Sequence, residues 1–120
     1  LVADASDQGD AFSSGWCAWA DDQRLTSSYG ATWPVSESPW LHAYPPGLRA
    51  LLRWAAGPAS ARWRGPVYIT ENGWSCHSMS AAAAAADSDQ VRYLEGYTAQ
   101  LRLAMAEDGI DVRGYFGWSP

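Results

Sequence analysis

"VYITENGW", residues Val67 to Trp74, is the stretch on which the reading of this chain turns. Val67, Tyr68, Ile69 and Thr70 form an unbroken run of β-branched and aromatic residues. Such a run predicts a strand covered on both faces, as in a parallel sheet. Pro66 stands just before it, where a missing N–H is tolerated. The run then ends on a carboxylate, Glu71, with Asn72 and Gly73 directly behind. Two readings compete. Glu71 is a solvent-facing residue where a strand gives way to a turn, or it is a carboxylate placed for chemistry at a strand's end.

The flanking sequence supplies the context. Upstream, Pro45 and Pro46 suit a helix entrance. Leu48, Leu51, Leu52 and Ala55 follow at i, i+3, i+4 and i+7 and predict one apolar helix face. Arg49 and Arg53 lie four apart on its flank, and Gly57-Pro58 stops it. Downstream, the alanine run from Ala81 to Ala86 is a helical extension or a loop insertion and carries no assigned function. A second helix is predicted from about Ser88 to Asp108, with Val91, Leu94, Thr98, Leu101 and Met105 on its face. Asp87, Ser88 and Asp89 give it an acidic, cap-competent start, and Gly109 ends it. Val112 to Trp118 reads as a second strand. Helix, strand, helix, strand is α/β order with parallel strands. Two strands do not make a stable parallel sheet alone, so the pattern is that of part of a larger barrel or sheet. Residues 1 to 39 are rich in Ser, Asp, Gly and Ala and read as a long connection on such a scaffold.

Composition narrows the function classes. The chain has 120 residues, a formal charge of -5 and 48% hydrophobic residues, enough to form a core. Its 8 Lys and Arg are scattered without a basic stripe, which argues against a nucleic-acid partner. No apolar run is long enough to cross a bilayer. Leu1-Val2-Ala3-Asp4 lacks the features of a signal peptide and does not begin with Met, so a piece of something longer is expected. Cys17 and Cys76 make no metal motif; they form one disulfide or remain separate thiols. His77 beside Cys76 has no second pair to complete a metal site, and no cofactor is expected. The 8 Trp are first of all packing residues, but Trp faces also stack on sugar rings.

In a (β/α)8 barrel the active site lies at the C-terminal ends of the strands. Glu71 ends the first strand and Trp118 the second, so neighbouring strands would bring both to one mouth. A carboxylate beside an aromatic platform suits a sugar ring. Retaining glycosidases need two carboxylates, about 5–5.5 Å apart.

"VYITENG" resembles the nucleophile motif of glycoside hydrolase family 1, the β-glucosidase and lactase-like family. "WPVSESPWLHAYPPGLRALLRWA" resembles the family's preceding segment. "DQVRYLEGY", with Asp89, Arg92 and Tyr93-Leu94, is similar to its helix start, and "GIDVRGYFGWS" to its last barrel strand. The resemblance runs from about residue 33 to 119, with residues 1 to 32 only loosely like the loop after the sixth strand. It implies a partial (β/α)8 TIM barrel containing strands 7 and 8 with the preceding helices, and a β-glycoside substrate. Glu71 would be the nucleophile on strand seven and Trp118 the platform on strand eight. Asn72 and Gly73 would shape the turn after the nucleophile. Trp33, Trp40, Trp54 and Trp63 would be packing or loop-anchoring residues, Arg113 structural, and His42 and His77 loop or surface residues.

The departures from the family are equally specific. These 120 residues contain no Asn-Glu-Pro, so the general acid/base is missing from them, as are the early-strand Gln, His and Trp that hold sugar hydroxyls. "GWSP" stands where the family runs on toward Asn-Phe-Glu-Trp. The expectation is a retaining β-glycosidase parent and a chain that is inactive alone and prone to aggregate, with bare strand edges. A family relative that binds sugar or protein without catalysis, in the manner of klotho, a thioglucosidase, and a fragment without activity are the alternatives.

Overall fold

The computed structural model describes residues 29–60, 62–76 and 80–118. The chain divides into two units, Leu1–Trp33 and Pro34–Pro120. Most of the first, including Cys17 and the bulk of the expected long connection, lies outside the described residues, as does His77.

The second unit opens with a loop in which Val35 and His42 form an isolated antiparallel bridge. Helix α1 spans Pro45–Ala56, strand β1 Val67–Gly73, the short helix α2 Ala81–Ala85, helix α3 Ser88–Ala106 and strand β2 Val112–Trp118. β1 and β2 pair in parallel, with α3 as the crossover between them. This is α/β architecture with helices packed on the sheet. The alanine run is a helix of its own, capped by Ser80, whose hydroxyl accepts from the Ala83 amide at 3.2 Å. Asp87 rather than Ser88 caps α3, accepting from the Asp89 and Gln90 amides at 3.0 Å each.

Both helices bury part of the predicted face and turn the rest outward. On α1, Leu52 is buried and Leu48 and Ala56 pack beside it, while Leu51 is exposed. On α3 the buried residues are Tyr93, Tyr97, Leu101 and Ala104; Val91, Thr98 and Met105 are exposed. On α3 the buried stripe runs through Tyr93 and Tyr97, which the expected face left out. Their rings are apolar bodies that bury once the hydroxyl finds a partner. The Tyr97 hydroxyl accepts from the Tyr44 amide at 3.0 Å.

The interior has two parts. Leu52, Leu101, Ala104, Ile110 and Val112 form an aliphatic cluster. Trp74, Tyr93 and Tyr97 form an aromatic one. Between the helices, Arg49 grips Asp108 through two hydrogen bonds of 2.7 and 3.0 Å and reaches Glu107 at 2.7 Å. A paired guanidinium fork of this kind is a strong, directional contact. It holds the Asp108 carboxyl below the usual carboxylate range. Gly109, at φ 66°, turns the chain out of α3 toward β2.

The expectation that β1 is covered on both faces does not hold within this unit. Val67 and Ile69 pack on the aliphatic cluster. Tyr68 is 53% exposed and Phe116 on β2 is 58% exposed. The helices cover one face of the sheet, and no described residues cover the other.

Candidate active site

β1 runs three residues beyond Thr70, through Glu71, Asn72 and Gly73. Asn72 and Gly73 therefore belong to the strand and not to a turn after it. The pairing to β2 is also irregular here. Ile69 pairs with Tyr115 and Asn72 with Gly117, so β1 spends one residue more than β2 over this interval. That is a β-bulge containing Thr70 and Glu71. It breaks the alternation of the strand. By parity Glu71 would share the helix-covered face with Val67 and Ile69. Instead Thr70 and Glu71 are both exposed, and the half-buried Asn72 meets the helix layer.

Asn72 is satisfied at both ends of its carboxamide. Its Oδ1 accepts from the Tyr115 hydroxyl on β2 at 2.9 Å. Its Nδ2 donates to the Tyr93 hydroxyl on α3 at 3.0 Å. The Tyr93 ring stacks on Tyr97 at 4.2 Å between centroids and leans on Trp74 at 5.2 Å. Burial pushes the Tyr93 phenol well above the ordinary tyrosine range, with Tyr97 adding to the shift. Burial raises Tyr115 as well. Both phenols thus stay neutral through the physiological range.

Gly73 and Trp118 lie directly opposite one another at the ends of the two strands. A Cβ on Gly73 would land on the carbonyl oxygen of Trp118, so only glycine permits the strands to approach this closely. The Trp74 amide then donates to that same carbonyl oxygen at 3.1 Å. Glu71 and Trp118 accordingly sit at the same ends of two adjacent parallel strands, and Trp118 is 39% exposed.

Beyond β1, the chain is stitched to the loop before α1 by three serines. Ser36 and Ser75 hydroxyls lie 2.9 Å apart, and Ser75 donates to Ser38 at 2.9 Å. A cavity of about 390 Å³ opens beside them, lined by Glu37, Trp74, Cys76 and Asp87 among others. Glu71 does not line it.

The remaining tryptophans differ from one another. Trp40, Trp54 and Trp63 are about half exposed and are not core residues. Trp63 anchors its loop by donating to the Pro66 carbonyl at 3.1 Å. Arg62 stacks on Trp54 at 4.4 Å. Among the described residues, the buried tryptophan is Trp74. Arg113 bonds Asp111, two residues away, on the surface. The residues that sequence reasoning missed are Tyr93, Tyr115 and the buried Trp74, along with the bonding role of Asn72. The spacing of Tyr93, Tyr97 and Leu101, four apart on one helix, was the available signal.

The model of glycosyl hydrolase family 1 matches residues 6–120. The chain belongs to this family. Curated members that it resembles include β-glucosidase 1B of Phanerodontia chrysosporium, 46% identical over 83 residues, or 67% of this chain and 15% of that protein. The lactase-like protein of Mus musculus is 31% identical over 85% of this chain and 17% of that one. Among solved family 1 structures, a rice β-glucosidase superposes with a TM-score of 0.62 at 36% identity, over 72% of this chain and 18% of that one. A β-glucosidase of the fungus Humicola insolens in complex with glucose matches with the same TM-score at 35% identity. The chain spans less than a fifth of the length of each of these family 1 relatives.

Proposed function

We propose that the polypeptide carrying this segment is a retaining β-glycosidase, that β1 and β2 are strands seven and eight of its (β/α)8 barrel, and that Glu71 is its nucleophile. The observation that carries the reading is a bulged, exposed glutamate at the C-terminal end of a parallel strand, in a family 1 chain. In the first step the Glu71 carboxylate attacks the anomeric carbon of a β-glycoside. The bond to the aglycone oxygen breaks, and that oxygen takes a proton from a second carboxyl group, contributed from outside residues 1–120. The product is a covalent α-glycosyl ester. The second carboxylate then takes a proton from water, the water attacks the same carbon, the ester bond breaks, and a β-configured sugar leaves. A mutant of the rice relative forms a covalent complex with glucose, which supports ester chemistry of this kind. Trp118 offers the sugar ring an apolar platform beside the reacting carbon.

The test is mechanism-based labelling of the full-length protein with a 2-deoxy-2-fluoro-β-glucoside, followed by peptide mass mapping. A sugar adduct on the Glu71 peptide is expected, together with a loss of about 10⁴-fold or more in aryl-β-glucoside turnover on Glu71→Gln. An adduct elsewhere, or turnover that survives the substitution, overturns the assignment. The 120 residues contain no Asn-Glu-Pro motif to supply the second carboxyl group, and they leave Tyr68, Phe116 and Trp118 exposed. They are expected to be inactive and to self-associate. A sharp melt with dispersed amide resonances at high concentration would contradict the second expectation.

A further inference from the structure

We propose that Asn72, Tyr93 and Tyr115 form a positioning clamp that holds Glu71 in its reactive orientation, an inference that rests on the assignment of Glu71 as nucleophile. The carboxamide of Asn72 bridges a phenol from the neighbouring strand at 2.9 Å and one from the crossover helix at 3.0 Å. Three separate elements therefore meet at the residue that follows Glu71. Their meeting point is the downstream edge of the bulge, where Asn72 returns to the helix side and Thr70 and Glu71 are exposed. A bulge has fewer ladder hydrogen bonds than a regular strand and is free to relax unless something pins it. The clamp pins it from below. The Tyr93 ring is itself held between Tyr97 and Trp74, so its hydroxyl is a fixed point.

None of the three side chains needs to touch substrate. Their effect on catalysis passes through the backbone to Glu71, and a displacement near 1 Å at the reacting atom costs about 100-fold in rate. Tyr115→Phe and Tyr93→Phe each remove one hydrogen bond and keep the ring that packs the interior. Asn72→Ala removes both.

The experiment measures inactivation of the full-length enzyme by the 2-fluoro glucoside as a function of inactivator concentration. This separates the binding constant from the limiting rate of ester formation. The expected limiting rate falls about 10- to 100-fold for Asn72→Ala and about 3- to 10-fold for each Tyr→Phe. Inactivator binding should stay within about threefold of the parent, because the clamp orients the nucleophile and does not hold the sugar. Adding Tyr115→Phe to Asn72→Ala should slow the reaction no further, since the bond is already gone. An adduct on Glu71 formed at the parent rate in the Tyr→Phe variants overturns the clamp and leaves the nucleophile assignment standing. An adduct on another residue overturns that assignment instead. Full additivity of the double variant, or loss of binding in step with rate, also overturns the clamp.

Discussion

The starts and the ends of the two strands are held by different physics. At the starts, Val67 and Val112 join Leu52, Leu101, Ala104 and Ile110 in a cluster of aliphatic side chains. At the ends, Trp74, Tyr93 and Tyr97 form stacked rings whose hydroxyls bond Asn72 and the Tyr44 backbone. Aliphatic packing is non-directional: it rewards volume and tolerates small rotations. Hydrogen bonds and stacked rings fix angles as well as distances. The end that carries Glu71 is thus the end where orientation is specified. In a barrel this division matches the separation of stability from chemistry along the strand axis.

Substitutions at the two ends of the full-length protein should separate these roles. The largest loss of stability is expected at the aliphatic end. Leu101→Ala leaves a cavity between α3 and its neighbours and should cost about 2–5 kcal/mol in denaturant melts. Turnover per folded molecule should be unchanged. If Leu101→Ala slows ester formation as much as Tyr115→Phe does, the division between the ends does not exist. Gly73→Ala comes next, because its Cβ must push the Trp118 carbonyl away and part the strands. A cost of about 1–3 kcal/mol is expected, and here turnover should fall too. Unimpaired turnover would mean that the strand ends tolerate rearrangement. Tyr115→Phe should cost about 1 kcal/mol, the worth of one hydrogen bond, with most of its effect in rate. A loss well above that would make Tyr115 a packing residue first.

The smallest effects should appear as pH dependence. Tyr93 has its pKa raised in the fold, so the neutral phenol is favoured there. Its contribution is complete below the unfolded value of about 10 and is lost as pH rises past it. Tyr93→Phe should flatten the alkaline limb of the stability curve. Asp108 has its pKa lowered by Arg49, so its contribution is complete above about 4 and fades as pH falls below. Asp108→Asn should flatten the acid limb without touching turnover. Loss of turnover there would extend functional coupling to the inter-helix ion pair.

Much of this was legible in the residues. Pro45-Pro46, Gly57 and Gly109 marked helix ends because each acts through its own backbone. The Val67–Thr70 run marked a strand, and the Glu71 motif marked the family that the comparisons bear out. The face of α3 was less legible, because tyrosine is polar or apolar according to whether its hydroxyl has a partner. Tyr93 and Tyr97 acquire theirs from Asn72 and Tyr44, which lie 21 and 53 residues away. The tryptophans were illegible for the same kind of reason. Trp74 is buried and Trp54 exposed, and nothing local distinguishes them.

The sequence by itself determined the order of elements, the parallel class of the sheet and the identity of the carboxylate at the strand end. These depend on local propensity and on residues adjacent in the chain. Tertiary structure alone decided where the bulge falls, that Glu71 is exposed, and what Asn72 bonds. Strand register is a relation between two segments, and a shift of one residue reverses every side chain beyond it. The pairing of Asn72 with Gly117 and the phenols of Tyr93 and Tyr115 settle that relation, and they come from β2 and α3, which follow β1 along the chain and meet it only on folding.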